Sequence, residues 1–124
     1  MLANRDAVAN LAVKDLTVAK QFYAQTLGLK EVAGDDAEVV TFKSGNSLIN
    51  VYRSEFAGTN KATAVTWAVD DVPAEVKQLK TKGIRFEHYD MPGLKRDGDV
   101  HVGEEMKVAW FKDPDGNILN IVNR

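Results

Sequence analysis

Two histidines, His88 and His101, are the imidazoles of this 124-residue chain, and it has no cysteine. Thiolate chemistry is therefore excluded, both as a nucleophile and as a metal ligand, and so is a disulfide framework. The densest run of groups able to do chemistry is Asp97-Gly98-Asp99-Val100-His101-Val102-Gly103-Glu104-Glu105. Imidazole and carboxylate at such spacing can ligate a metal or exchange protons, and alternation puts Asp99 and His101 on one side. The plain alternative is a solvated polar loop leading into a strand, since loops concentrate these residue types. His88, followed by Asp90, reads as a residue on the exposed face of a strand. Glu104 and Glu105 read as a solvated charge pair, with general-base work as the remoter use. No Ser-His-Asp arrangement can be assembled from neighbouring residues.

Composition narrows the classes. The length suits one domain, residues 1–124, with enough chain to bury its own core. Hydrophobic content of 44% and charged content of 27% are those of a globular protein. A net charge of −2, with no basic run, gives no reason to expect nucleic acid. No apolar run approaches the ~20 residues of a membrane span. The first residues lack the basic-then-apolar pattern of a signal peptide, so the expected compartment is the cytoplasm.

The elements that must position these groups come in two copies. Ala9-Asn10-Leu11-Ala12-Val13-Lys14-Asp15-Leu16 lines up with Val65-Thr66-Trp67-Ala68-Val69-Asp70-Asp71-Val72. In each copy an apolar strand reaches an Asp that can cap a helix, Asp15 or Asp71. Ala19, Phe22, Tyr23 and Leu27 recur at helical spacing in the first copy, and Val72, Val76 and Leu79 in the second. Pro73 suits a helix start, and Gly28 and Gly83 stand where left-handed residues end the helices. Lys77, Lys80 and Lys82 suit the dipole of the second C-terminus. Three strands should follow each helix: near 30–32, 37–43 and 47–53, then near 84–89, 105–112 and 117–123. Ser44-Gly45-Asn46 is a hairpin turn. In the last hairpin Asp113-Pro114-Asp115-Gly116-Asn117 carries stronger turn chemistry. Pro114 fixes φ there, and Gly116 and Asn117 tolerate positive φ. Module one is expected over about residues 5–53, a linker over about 54–62 and module two over about 63–124. Met91 to Gly103 is expected as a long irregular loop.

The Asp-Pro-Asp-Gly-Asn turn, with Phe22-Tyr23 and Leu27-Gly28 upstream, resembles the vicinal oxygen chelate superfamily of glyoxalase I, extradiol dioxygenases and bleomycin-resistance proteins. The resemblance implies an α+β fold of tandem βαβββ modules whose curved mixed sheets form a cup. It also implies metal ligands at four positions, which here are Val8, Asn50, Ala64 and Asn120. Val and Ala cannot ligate, and Asn offers only a neutral carbonyl oxygen. No metal and no cofactor is therefore expected. A register error of one residue would bring in Ala7 or Ala9, and Ile49 or Val51, none of them a ligand.

If Asn120 points into the cup, as the resemblance implies, strand alternation sets the rest. The inward set is then Val8, Asn10 and Ala12; Leu48, Asn50 and Tyr52; Ala64, Thr66 and Ala68; Met106, Val108 and Trp110; and Ile118, Asn120 and Val122. Leu119, Ile121, Phe42, Trp67 and Phe111 become core. Asn10, Asn50, Tyr52, Thr66, Met106, Trp110 and Asn120 are the expected ligand-binding residues. Tyr52 and Trp110 offer flat faces for stacking. Asn50 and Asn120 either orient a ligand's polar group or bond one another and tie the sheets together.

The expected function is metal-independent binding of a small organic molecule, such as an antibiotic or aromatic metabolite, with sequestration as the mechanism. The rivals are a lyase, isomerase or dioxygenase with metal held through His101 and Glu104 or Glu105, and an interaction module whose cup is filled by its own side chains. A homodimer is expected, because a module of one helix on one small sheet has little core of its own.

Overall fold

The computed structural model describes residues 1–32 and 36–124. Chain contacts divide these into two compact units, Met1–Thr59 and Asn60–Arg124. Each is α+β, a helical segment on a curved, unclosed mixed sheet.

In the first unit β1 (Ala9–Val13) leads into α1 (Leu16–Lys20). Asp15 caps α1, its Oδ1 accepting from the backbone N–H of Thr17 at 2.8 Å and of Val18 at 3.3 Å. The helix continues as a π-helical turn, Gln21–Thr26, that carries the fully buried Tyr23. Three strands follow, β2 (Lys30–Val32), β3 (Val39–Ser44) and β4 (Ser47–Arg53), and the sheet order is β1-β4-β3-β2. β1 runs parallel to β4, and the other pairs are antiparallel. Leu11, Val13, Phe42, Ile49 and Val51 are buried with Ala19 and Tyr23, so one sheet face forms the core. The alternation expected for these strands is the one observed.

The second unit starts the same way, with β5 (Thr63–Val69) and α2 (Val72–Thr81), capped by Asp71 through the N–H of Ala74 at 3.0 Å. It then departs from three strands. β6 is only Phe86–Glu87, shorter than the 84–89 expected. The segment expected as an irregular loop holds a hairpin, β7 (Lys95–Asp97) and β8 (Val100–Val102), turning at Gly98 with φ of 64°. Pro92, Gly93, Gly98 and Gly103 make the segment read as loop, although Val100-His101-Val102 is a short β-prone run. β9 (Lys107–Lys112) and β10 (Ile118–Asn123) complete a sheet of order β5-β10-β9-β8-β7, with β6 also pairing β9. β10 runs parallel to β5.

Phe111 and Leu119 are fully buried, and Trp67 stacks on Phe111 at 6.4 Å between ring centroids. Phe42, Phe111 and Trp67 thus lie on core faces, as alternation required. At the β9–β10 turn Gly116 takes φ of 91°, but no residue other than glycine has positive φ among those described, so Asn117 does not share that role. No helix is long and apolar enough to cross a membrane among the described residues.

Candidate functional site

The two sheets each have a second face, opposite the helix. On the second sheet, register sets one row of side chains across four strands. Asn120 of β10 stands opposite Thr66 of β5 and opposite Trp110 of β9, and Trp110 stands opposite Glu87 of β6. Paired residues in a sheet project to the same side, so Thr66, Asn120 and Trp110 are brought together as expected. Thr66 is exposed, whereas Asn120 and Trp110 are each 8% exposed. Met106, expected beside them, precedes β9 and is exposed. Its carbonyl accepts from the N–H of Gly103 at 2.7 Å, which closes the β8–β9 connection and ends the alternation before Lys107.

Trp110 is covered by two rings absent from the expected site. His101 meets it edge to face at 4.9 Å and Tyr89 does so at 5.2 Å. His101 belongs to β8, opposite Val108, and is 1% exposed. It is therefore not in a solvated loop, and its β-branched neighbours Val100 and Val102 were the sequence sign of that. Its Nε2 accepts from the backbone N–H of Tyr89 at 3.0 Å. A backbone N–H only donates, so the ring proton sits on Nδ1. Trp110 Nε1 donates to Thr63 Oγ1 at 3.2 Å. Three buried side-chain atoms of this cluster, Tyr89 Oη, His101 Nδ1 and Asn120 Oδ1, have no hydrogen-bond partner among the described residues. Such atoms are rare in folded proteins, because leaving one unpaired costs about 1–3 kcal/mol.

On the first sheet, Asn50 of β4 stands opposite Asn10 of β1 and Thr41 of β3, and Tyr52 stands opposite Ala12 and Val39. Asn10 and Tyr52 are exposed, and Asn50 is partly covered. Asn50 Oδ1 accepts from Thr41 Oγ1 at 2.7 Å, so its carbonyl is satisfied within its own unit. A groove of about 320 Å³ is lined by Asn50, Thr41, Val39 and Val32 and by the Lys20–Glu31 ion pair at 3.3 Å.

His88 is on the surface, as expected, but it is not isolated. Arg96 Nη1 lies 2.9 Å from its Nδ1, and Asp99 Oδ1 lies 2.8 Å from its Nε2. Arginine only donates, so Nδ1 accepts and Nε2–H points to Asp99. Lys80 Nζ, on α2, lies 2.7 Å from the other carboxylate oxygen. Lys80, then His88, hold the Asp99 carboxyl below the usual carboxylate range, partly opposed by burial. Asp99 thus works as a tie between α2 and the β7–β8 hairpin, and not with His101.

The metal that the fold family implies does not fit these residues. Val8 lies just before β1 and Ala64 lies on β5, both exposed and both without donor atoms. Asn50 Oδ1 is engaged by Thr41, and Asn120 supplies a single neutral oxygen. One or two neutral amide oxygens without imidazole or carboxylate make a poor transition-metal site. No group of three or more His, Cys, Asp or Glu side chains stands close enough to share a metal among the described residues. Glu104 and Glu105 are exposed, and His101 already commits Nε2 to Tyr89.

Solved structures of similar architecture share little sequence with the chain. Lactoylglutathione lyase from Agrobacterium tumefaciens superposes with a TM-score of 0.71 at 18% identity, covering 97% of this chain and 93% of that one. TnmS3, an antibiotic-binding protein from Streptomyces sp. CB03234, does so with a TM-score of 0.69 at 19% identity, covering 99% and 98%. A glyoxalase/bleomycin resistance protein from the same Streptomyces strain gives 0.62 at 21%, covering 94% and 97%. These likenesses concern the fold alone. No curated protein sequence matches the chain. The sequence model that matches spans residues 6–121, and by it the chain belongs to the Glyoxalase/Bleomycin resistance protein/Dioxygenase superfamily.

Proposed function

We propose that this protein binds a small organic molecule, without a metal, on the face of the second sheet carried by Thr66, Asn120 and Trp110. The observation that carries the reading is Asn120 Oδ1, a buried acceptor with no partner among the described residues, on the strand beside a Trp–Tyr–His cluster. An apolar, aromatic surface with a few polar atoms left to fill is the usual make-up of a small-molecule site. Asn10, Asn50 and Tyr52 hold the matching positions of the first sheet and form a candidate binding face of the first unit by itself. Sequestration of an aromatic metabolite or antibiotic is the function this supports best, and the fold likeness to an antibiotic-binding protein agrees with it. We also propose a homodimer as the working unit.

A lyase, isomerase or dioxygenase would need its metal held elsewhere, and no arrangement of His101 with Glu104 or Glu105 favours that. The test is calorimetric titration with bleomycin and a panel of polycyclic aromatic antibiotics, on the parent protein and on Asn120→Leu. A compound that binds at micromolar Kd or tighter, and more weakly to the variant, supports the reading. A panel without any binder, together with metal-dependent turnover of a hemithioacetal or catechol substrate, would replace it with the enzyme.

A further inference from the structure

We propose that the ligand of the Trp110 face is an uncharged, planar ring compound whose rim carries both a carbonyl-type acceptor and an N–H or O–H donor. This rests on the binding reading above and specifies its chemistry. The first step is charge. Every polar side chain in the cluster is neutral: Thr63, Tyr89, Asn120, and His101 in the tautomer fixed by the N–H of Tyr89. The charged residues closest by register are Glu87 opposite Trp110, Lys112 on β9 and Arg96 opposite His101; Glu87 and Lys112 pair with each other at 3.3 Å, and the exposed Arg96 is turned to His88 Nδ1 at 2.9 Å. A ligand charge buried here would find no counter-charge, and an unpaired buried charge is strongly disfavoured.

The second step is hydrogen bonding. His101 Nδ1 is a donor without an acceptor, and Asn120 Oδ1 is an acceptor without a donor, among the described residues. Both lie on the strands that flank β9, on the side of the sheet that carries Trp110. Tyr89 Oη, the third orphan, can take either role. A hydrocarbon ring would leave all three unpaired, and a ligand with only acceptors would leave Asn120 unpaired. A lactam, a hydroxyquinone or a similar ring satisfies both kinds.

The third step is shape. Tyr89 and His101 both stand edge to face against Trp110, so the cluster suits a flat ring. All three orphan atoms are enclosed, and the ligand's rim reaches them from over the face of Trp110. The indole's hydrogen bond to Thr63 Oγ1 is 3.2 Å, at the long end for N–H to O.

Three probes test the proposal by calorimetry: acridone, with one carbonyl and one ring N–H; N-methylacridone, which lacks the donor; and acridine-9-carboxylate, which carries a charge. Acridone should bind about tenfold more tightly than either of the others, the scale of one well-placed hydrogen bond. Asn120→Leu should abolish the preference for acridone over N-methylacridone. Asn120→Ser, uncharged and still an acceptor through its hydroxyl oxygen, should keep part of it. His101→Phe should weaken both neutral probes alike, because both keep the carbonyl. Melting temperatures establish that each variant is folded, and Asn120→Ala, which also removes the acceptor, carries the test if the leucine variant is not. Equal binding of acridone and N-methylacridone, or tightest binding of the carboxylate, overturns the proposal and leaves small-molecule binding at Trp110 standing. So does a panel binder at Trp110 that is charged or lacks the donor–acceptor pair. If neither the acridones nor any panel compound binds, the underlying reading falls as well.

Discussion

Asp113 and Asn117 grip each other across the β9–β10 turn, and both are nearly inaccessible, at 5% and 6% exposure. The backbone N–H of Asn117 donates to Asp113 Oδ1 at 2.9 Å, and its side-chain Nδ2 donates to Oδ2 at 2.8 Å. The N–H of Asp115 reaches the same Oδ1 at 2.9 Å. One carboxylate thus holds at least three N–H groups at the turn that places Asn120 opposite Trp110. Asp113→Ala should cost about 2–4 kcal/mol, since it strips buried donors of a charged acceptor. Asn117→Ala, which removes one of the bonds, should cost about 1–2 kcal/mol. Urea unfolding measures both as a lowered midpoint at unchanged slope. A loss within about 0.5 kcal/mol for Asp113→Ala would mean that the carboxylate does not organise the turn.

Asp99 makes a pH prediction with a definite sign. Its carboxyl titrates lower in the folded protein than in the unfolded chain, through Lys80 first and His88 second. Stabilisation from such a group is complete above its unfolded pKa, about 3.9, and is lost as pH falls through the lower folded value. The parent protein should therefore lose melting temperature more steeply below about pH 4 than Asp99→Asn does. Above that range the variant should be the less stable of the two at every pH. Parallel curves for the two proteins below about pH 4 would show that the tie between α2 and the β7–β8 hairpin contributes nothing to folding.

These ties differ in how far the sequence reveals them. The turn at Asp113–Asn117 is written in adjacent residues, and strand alternation follows from one anchored position, which is why Phe42, Trp67 and Phe111 fall in the core as expected. Asp15 and Asp71 cap their helices for the same local reason. The surroundings of His101 are not local. Its burial depends on pairing with Val108, its tautomer on the backbone of Tyr89, and its neighbour Trp110 on register. Pro92 and the glycines at 93, 98 and 103, with the polar run from Asp97 to Glu105, hide a strand whose centre faces away from solvent. Tyr89 carried no periodic pattern of its own, because β6 ends at Glu87. The α1 helix becoming a π-helical turn at Gln21 was likewise unreadable, since both forms place Tyr23 on the buried side.

Donor chemistry at Val8, Asn50, Ala64 and Asn120 predicts that the family's metal position does not hold a transition ion. Elemental analysis of untagged protein, dialysed without chelator, should find far less than one equivalent of zinc, iron, nickel or manganese. One full equivalent, lost in Asn120→Leu, would contradict this.

Assembly is tested by sedimentation. Each unit sets one helical segment on a single sheet, a small core for an independent body, and Phe56, Val18 and Leu48 remain exposed. A symmetric pair closes on itself and can cover such surface. At micromolar concentration the mass should be twice 13.7 kDa. A single species at 13.7 kDa across that range would rule the pairing out.

The two tryptophans separate binding from stability. Trp110 lies on the face with Asn120, whereas Trp67 lies on the opposite face, stacked on Phe111 in the core. For any ligand found, Trp110→Ala should weaken binding by about tenfold or more, because burial of the ring is lost together with stacking worth about 0.5–1.5 kcal/mol. Asn120→Leu should weaken it less and blur the distinction among analogues, because it removes an orienting bond worth on the order of 1 kcal/mol. Trp67→Phe shrinks a core ring, so the melting temperature should fall while affinity stays nearly intact. Calorimetry and thermal melting on the same three variants give both quantities. If Trp67→Phe cuts affinity and Trp110→Ala does not, the ligand sits on the helix side of the sheet and the binding face has been assigned to the wrong side of β9.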